Sequence, residues 1–509
     1  MKNEKWQTMF NLVSGILAMA VNLGIQFFLS GYIVENLGEE ANGFTQLANN
    51  FVSYATLITL AFNSMASRFM AIQYHQGKKE KVKVYYSSVL ICNFLLCVGL
   101  IPIAIGIVRN LERLIVIEQA NLLDVKILFG CVFLNFFASL LVSVASMSMF
   151  VTNTVYYQNL IQLLRYVLNG ILLLCAFSFC PPKIYYVSFI AMILTVASYP
   201  VFRVIQSKLM PELKFCIRDF KGYAVQEMFA SGIWNTVNQC GHMLMTGLDL
   251  LLANLFISPA SMGLLSVAKT IPNAIINLAG ILNTNFAPAV TINWARGEKD
   301  VTLRQLRSSM KISSVLVSIS IMTFISYGVQ FYSLWMPTLD AKKLTILSFL
   351  TCMAFIPWAG PQALYNVFTA ANRLKVNSIA FTVTGVINVA VVYGCLKYTQ
   401  MGVFAIAGTS SVLTVIRNLI ITAPYIAKLL GLKWYEFYRD VWTSLACCMI
   451  NLAASFLVKC IYMPHSWISL VFCVFGTCLI TFTADLFFIL DKDERAKLKE
   501  KLKGVKIHG

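Results

Sequence analysis

Apolar runs long enough to cross a membrane recur along the whole chain. Residues 10–34, 87–108, 376–396 and 466–490 are four of them, and each can span a hydrocarbon layer of roughly 30 Å. Hydrophobic side chains make up 58% of the 509 residues and charged side chains only 12%, whereas soluble proteins carry roughly 25% charged residues. The sequence therefore predicts an all-α, polytopic membrane protein.

The apolar runs predict about fourteen transmembrane helices, numbered 1 to 14 along the chain. We place them at residues 10–34, 44–67, 87–108, 127–150, 156–179, 184–202, 228–254, 261–290, 312–334, 344–370, 377–396, 403–424, 441–458 and 467–490. Lys2 and Lys5 precede the first run, and no small-residue cleavage pattern follows it. We therefore expect a retained first helix rather than a signal peptide.

Basic residues are divided unequally between the two sides of the predicted membrane. Most of the 40 lysines and arginines lie in connections on the side of the N-terminus. The positive-inside rule then predicts that both termini are cytoplasmic. Contact with the anionic lipids of the inner leaflet suits this excess, so the net charge of +18 does not require a nucleic-acid partner.

Neither the cysteines nor the connections indicate catalysis. The 14 cysteines are scattered, with no Cys-x-x-Cys pair and no histidine nearby at ligand spacing, so we expect no metal, disulfide or other cofactor. The connections between predicted helices are short and leave no room for an extramembrane catalytic domain. We therefore do not expect an enzyme.

An internal repeat indicates how the helices are organised. A shift of 220 residues pairs Gly43 with Gly263, Ala48 with Ala268, Asn63 with Asn283, Ile72 with Ile292, Gly77 with Gly297 and Ser88 with Ser308. Helices 1 to 3 then correspond to helices 7 to 9, and two six-helix halves share one orientation. Parallel halves of this kind place a substrate site between them near the membrane midplane.

The repeat predicts five segments along the chain. They are an N-terminal six-helix bundle (residues 1–206), a cytoplasmic interfacial linker (207–227), a second six-helix bundle (228–424), helices 13 and 14 outside the repeat (425–490), and a basic cytoplasmic tail (491–509).

Helices 1, 2, 7 and 8 each carry a polar stripe with helical spacing. The candidate cavity residues are Asn22 and Gln26 of helix 1, Asn49 of helix 2, Asn235, Asn238, Gln239 and His242 of helix 7, and Asn273 of helix 8. Hydrogen bonding between packed helices is one explanation for such residues. A shared water-filled cavity explains better why matching helices of both halves carry the stripes.

A few ionisable residues fall inside the predicted helices, where a charge costs roughly 2.5–3.5 kcal/mol on insertion scales. Arg165, Lys269 and Arg417 are cations, and Asp249 is the deep acid of the repeat. Asp249 and Lys269 lie at similar depth, so a structural ion pair is one interpretation, and coupling to H⁺ or Na⁺ at Asp249 is another. Arg68, at the cytoplasmic end of helix 2, could extend to the interface or guard a cavity mouth.

A surplus of cations in a cavity suits an anionic substrate. Arginine in particular forms paired hydrogen bonds with phosphate, because its planar guanidinium matches two oxygens at once. We therefore expect Arg165, Lys269 and Arg417, with Arg68 at the mouth, to contribute to an anion site.

Several short segments together resemble those of a known family. They are residues 63–69 followed by the Gly77 turn, residues 232–238, 247–250, 269–272 and 286–288, and residues 365–370 with the following 372–375. In this order they resemble the polysaccharide flippase branch of the multidrug/oligosaccharidyl-lipid/polysaccharide (MOP) exporter superfamily, whose fold is MATE-like. The extra helices 13 and 14 resemble those of the related peptidoglycan-precursor flippases.

The resemblance implies an alternating-access flippase in a bacterial cytoplasmic membrane. Its substrate would be an undecaprenyl-diphosphate-linked oligosaccharide for surface polysaccharide synthesis, with H⁺ or Na⁺ as a coupling ion. Peptidoglycan-precursor flipping and multidrug efflux are alternatives, although efflux of cationic drugs would favour an acid-rich cavity. A membrane glycosyltransferase or polymerase would need catalytic groups in large outer loops, and residues 109–126, the longest such loop, carry no convincing set.

Overall fold

The structure is a computed structural model that describes residues 2–118, 120–213 and 215–489. Every regular element in these ranges is helical, which confirms the all-α prediction. The predicted basic tail at residues 491–509 lies outside the described residues.

Nineteen α-helices follow one another within these described ranges. They are α1 (Lys2–Leu37), α2 (Glu39–His75), α3 (Lys79–Arg109), α4 (Leu111–Leu114), α5 (Leu122–Val151), α6 (Tyr156–Phe179), α7 (Tyr186–Leu209), α8 (Gly222–His242), α9 (Asp249–Phe256), α10 (Pro259–Ala295), α11 (Lys299–Trp335), α12 (Ala341–Cys352), α13 (Phe355–Trp358), α14 (Tyr365–Ala370), α15 (Leu374–Tyr398), α16 (Val403–Arg417), α17 (Ala423–Leu430), α18 (Tyr438–Ile461) and α19 (Trp467–Ile489). Short 3₁₀ turns cover Ile217–Asp219 and Pro361–Leu364, and π-helical turns cover Met243–Gly247 and Asn418–Thr422.

Among the described residues, 12 helical segments are long and apolar enough to cross a membrane. The two other predicted spans, helices 7 and 10, are present as interrupted helices. Helix 7 consists of α8, a π turn and α9, and helix 10 consists of α12, α13, a 3₁₀ turn and α14. The prediction of about fourteen spans therefore corresponds to twelve candidate spans and two broken ones.

The interruption of helix 10 follows from its sequence. Pro357 and Pro361 each lack an amide hydrogen, so neither can donate the helical hydrogen bond that its neighbours make. Gly360 lies between them, and a Cβ added to it would lie 2.1 Å from the Ser314 hydroxyl oxygen of α11. The Gly360 amide instead donates to the Ser444 hydroxyl of α18 at 3.1 Å. The break is thus fastened to two neighbouring helices.

Contacts divide the chain into two compact units. Unit 1 comprises Met1–Val267 with Phe381–Val389, and unit 2 comprises Ala268–Ala380 with Ala390–Gly509. In unit 1, α2, α3, α5 and α8 bury an apolar cluster that includes Met70, Tyr86 and Met228. The domain boundaries predicted from the repeat do not coincide with the boundaries of these two units. The division into two six-helix bundles stays a prediction.

Unit 2 has its own apolar core around the broken helix. Trp358 and Phe368 pack there with Ile426 of α17 and Phe437, all of them buried. Helices α11, α18 and α19 pack against one another in the same unit, so the two helices outside the repeat are an integral part of it.

Candidate functional site

Three helices of unit 1 carry exposed polar side chains, and α2 among them packs against both α1 and α8. The exposed residues are Gln26 on α1, Asn49 and Ser53 on α2, and Gln239, His242 and Thr246 on α8 and the π turn that follows it. We call this set the polar face. Lipid chains offer such groups no hydrogen bonds, so exposed amides inside a membrane-spanning helix are costly unless water or a polar ligand reaches them.

Two further members predicted for this face have closer protein contacts. Asn22 accepts a hydrogen bond from the Gln26 amide one turn away, at 3.3 Å. Asn235 of α8 donates to the Ser64 hydroxyl of α2, also at 3.3 Å. Asn235 therefore joins two helices, the role that the simpler explanation assigns to polar residues in a bundle. Asn238 is partly buried on the same helix.

His242 is positioned by an aromatic neighbour. Its ring lies 4.2 Å from the ring of Phe381, centroid to centroid, and the two planes are tilted by 37°. The imidazole remains exposed in this arrangement. Contact with Phe381 therefore fixes the orientation of the imidazole ring.

Helices α2 and α8 approach each other unusually closely beneath the polar face. A Cβ added to Gly232 of α8 would lie 1.6 Å from the Ala61 carbonyl oxygen of α2. Further along α2, the Tyr54 hydroxyl donates to the Gly247 carbonyl oxygen at 2.8 Å, across from the π turn. Glycine at position 232 is required by this contact, since any side chain would force the two backbones apart.

Repeat-related positions meet where α2 begins. A Cβ on Gly43 would lie 3.0 Å from the Gly263 Cα, and a Cβ on Gly263 would lie 2.3 Å from the Glu39 carbonyl oxygen. Beside them, the Asn42 amide donates to the Ser266 hydroxyl at 2.7 Å. Gly43 and Gly263 are also the positions that the predicted repeat pairs, and glycine at both allows this close contact.

Arg165 is a half-buried cation on α6. Its guanidinium donates to the Thr195 hydroxyl of α7. Within the described part of the chain no carboxylate lies at ion-pair distance from it. No described acid therefore balances its charge. An anion site requires such an unbalanced cation.

Arg417 has a different environment, at the end of α16. Only 3% of it is exposed, and its guanidinium donates to the Tyr365 hydroxyl at 2.9 Å and to the Asn418 side-chain oxygen at 3.0 Å. Tyr365 also donates to Asn418, at 2.6 Å. Arg417 thus belongs to a buried polar cluster at the start of a π turn, and its part in a substrate site stays a prediction.

The remaining candidate ions are spread over both units. Asp249 begins α9 in unit 1 and is buried, and Lys269 on α10 in unit 2 is buried as well. Arg68 on α2 is exposed, as is Asn273 on α10. The interpretation of Asp249 and Lys269 as an ion pair, like the coupling role of Asp249, stays a prediction.

Sequence reasoning missed one buried acid, Asp485 on α19. Asp485 lies on α19, outside the repeat within which Asp249 is the predicted deep acid. A signal was present, because Thr477, Thr481 and Asp485 follow one another at four-residue spacing in an otherwise apolar helix.

The fold described above is shared with transporters of known structure. The chain superposes on the lipid II flippase MurJ in an inward closed conformation with a TM-score of 0.70, at 12% identity, over 95% of this chain and 98% of that one. It superposes on an inward-facing multidrug resistance MATE family transporter of the MOP superfamily with a TM-score of 0.68, at 12% identity, over 82% of this chain and 98% of that one. The architecture is therefore that of the MATE and MurJ transporters.

A sequence relative is an uncharacterized membrane protein, EpsK, of Bacillus subtilis (strain 168). The two chains are 25% identical over 472 residues, and the match covers 91% of each. No family model matches the sequence.

Proposed function

We propose that this chain is a MOP-superfamily flippase that moves undecaprenyl-diphosphate-linked oligosaccharides across a bacterial cytoplasmic membrane. The observation that carries the proposal is the polar face of unit 1, on a fold shared with MurJ and MATE transporters. Lipid chains cannot form hydrogen bonds with these side chains, whereas a substrate that has many hydroxyl groups can. The fold supports transport, and the choice of substrate is our proposal.

The chemistry of the described residues suits the parts of this substrate. Amides such as Gln26, Asn49 and Gln239 can both donate to and accept from sugar hydroxyls. The Arg165 guanidinium has no described carboxylate beside it, and it can donate hydrogen bonds to a diphosphate oxygen. The prenyl tail would stay in lipid while the two termini remain cytoplasmic, as the distribution of basic residues predicts.

Peptidoglycan-precursor flipping is the second candidate. The superposition on MurJ covers 95% of this chain, against 82% for the MATE transporter, which agrees with the resemblance of the two last helices to those of such flippases. Multidrug efflux and glycosyl transfer have less support. The described interior acids are few, and the neighbours of known structure are transporters.

Reconstitution of the purified chain distinguishes these candidates. Proteoliposomes would be loaded in turn with an undecaprenyl-diphosphate-linked oligosaccharide, a peptidoglycan precursor on the same lipid, and a cationic dye. We expect translocation of the first substrate, together with accumulation of the lipid-linked sugar when the gene is deleted. Exclusive transport of the dye would refute the proposal, and exclusive transport of the precursor would favour the second candidate.

A first prediction concerns the polar face. Replacing Asn49 by leucine keeps the size of the exposed side chain but removes its hydrogen bonds, so we expect flipping to fall about tenfold, the equivalent of one or two hydrogen bonds. The measurement is the initial flipping rate in proteoliposomes with equal amounts of protein. Ser178→Leu is the matched control, since Ser178 is exposed on α6 and bonds only its own helix. Equal rates for both variants would remove Asn49 from the site.

A second prediction concerns ion coupling at Asp249. We expect Asp249→Asn to abolish the dependence of flipping on an imposed H⁺ or Na⁺ gradient, because an amide neither binds a proton nor carries charge at neutral pH. Rates would be compared with and without each gradient. Asp300→Asn, which changes an exposed carboxylate in the first turn of α11, should retain the dependence. An unchanged gradient response in Asp249→Asn would show that another group couples transport.

A further inference from the structure

The described chain buries one carboxyl group in the helices outside the repeat. Asp485 of α19 is 0% exposed and lies where α19 packs against α11 and α18 in unit 2. The Asn451 amide of α18 donates to its Oδ2 at 3.0 Å. The same amide nitrogen lies 3.4 Å from the Ser318 hydroxyl oxygen of α11. Asp485 is thus held at a junction of three helices.

No cation neutralises this carboxyl among the described residues. The groups that act on it are the Asn451 amide and the Cys447 thiol of α18. The other titratable group of α18 nearby is Cys448, and α11 contributes Ser318, which is neutral. On α19 itself, the titratable neighbour one to two turns away is Cys478. None of these groups is a cation.

Two oxygen atoms at this junction lack hydrogen-bond partners among the described residues. They are Oδ1 of Asp485 and Oδ1 of Asn451, both buried. An ionised carboxylate in this position would be a buried charge with an unsatisfied acceptor, and both features are costly. A single proton on Oδ1 removes both costs, because it neutralises the buried charge and converts the unsatisfied acceptor into a donor. The side-chain oxygen of Asn451, on the facing helix, is an acceptor that has no described partner.

We propose that Asp485 is a proton-binding site in the α18–α19 helix pair, separate from the polar face of unit 1. With α19 packed as described, the group is a carboxylic acid. It gives up this one proton, and becomes a carboxylate, when α19 separates from α11 and α18 far enough to admit water.

Infrared difference spectroscopy of the full-length protein in lipid nanodiscs tests this without any substrate. At neutral pH we expect the wild-type protein to show the C=O band of a buried carboxylic acid, with the intensity of one group per chain. This band should be absent from the spectrum of Asp485→Asn. Asp340→Asn is the matched control, because Asp340 is an exposed cap of α12, and it should keep the band. Asn451→Leu removes the hydrogen bond to Oδ2 and should shift the band while the acid remains.

Two outcomes would overturn the proposal. One is a wild-type spectrum at neutral pH with no band that Asp485→Asn removes. The other is loss of the band on adding Na⁺ at constant pH, which would make the site one for a metal cation. If Asp485→Asn does not fold, the Asn451→Leu shift decides, and an unshifted band refutes the assignment. None of these results depends on the transported substrate, so the proposed flippase function is tested separately.

Discussion

Gly232→Ala is expected to yield little or no folded protein. The added methyl group would lie 1.6 Å from the Ala61 carbonyl oxygen, and that obstacle is backbone rather than a flexible side chain. Helices α2 and α8 would have to separate along much of their shared length. Overpacking of a well-packed interior costs about 1–3 kcal/mol, and a clash with backbone falls at or beyond the upper end of that range. The measurement is the yield of monodisperse protein and its thermal unfolding temperature in detergent.

Gly99→Ala in α3 is the matched control. Nothing lies within 4 Å of the Cβ that this change would add. Alanine in a helix interior is about 0.5–1 kcal/mol better than glycine, so this variant should unfold at the same or a slightly higher temperature. An unfolding temperature of Gly232→Ala that matches the wild type would mean that α2 and α8 are farther apart than described.

Arg165→Ala is expected to lower flipping of a diphosphate-linked substrate about tenfold to a hundredfold. The estimate converts roughly 1.5–3 kcal/mol for a hydrogen bond to a charged group into a rate or affinity ratio. The fold should tolerate the change, since Arg165 is half-buried and its described side-chain bond goes to a single hydroxyl. Flipping rates and the unfolding temperature would be measured on the same preparation.

Two further variants separate the roles of Arg165. Arg165→Lys keeps the charge but loses the paired hydrogen bonds, so it should fail nearly as badly as alanine if the guanidinium grips phosphate. Thr195→Val removes the observed partner of Arg165 and should leave most activity. A loss of activity in Thr195→Val as large as in Arg165→Ala would mean that the arginine serves helix packing.

Arg417→Ala and Lys269→Ala belong in the same series of measurements. For Arg417→Ala we expect a loss of stability, because Arg417 lies in a buried cluster of hydrogen bonds.

The helices could be predicted from sequence because membrane insertion depends on local hydrophobicity. A run of about 20 apolar residues is sufficient evidence for a span. The interruption of helix 10 also had a local signal, in Pro357 and Pro361 around Gly360. The π turn at Met243–Gly247 had none. A π turn adds one residue to a helical turn, and the packing around it decides whether that residue is accommodated.

The site was less predictable, because spacing assigns residues to one face but does not say what that face meets. Asn49 and Gln239 are exposed, whereas Asn235, from the same stripe as Gln239, bonds to Ser64 of α2. Arg417 was predicted as a cavity cation from its depth in helix 12, but depth could not show that it bonds to Tyr365, 52 residues away. Such differences depend on neighbours distant in sequence.

The contact between Gly43 and Gly263 limits how the two positions paired by the predicted repeat can differ from each other. In a symmetric homodimer, a residue on the twofold axis contacts the same residue of the partner, so a larger side chain adds its volume twice at one place. Within a single chain each position can change alone, and one of the two could become larger while the other stays small. Here the space on both sides is already taken, by Met262 against Gly43 and by the Glu39 backbone against Gly263. Glycine is therefore favoured at both positions, and sequence differences between the repeated segments have to lie elsewhere.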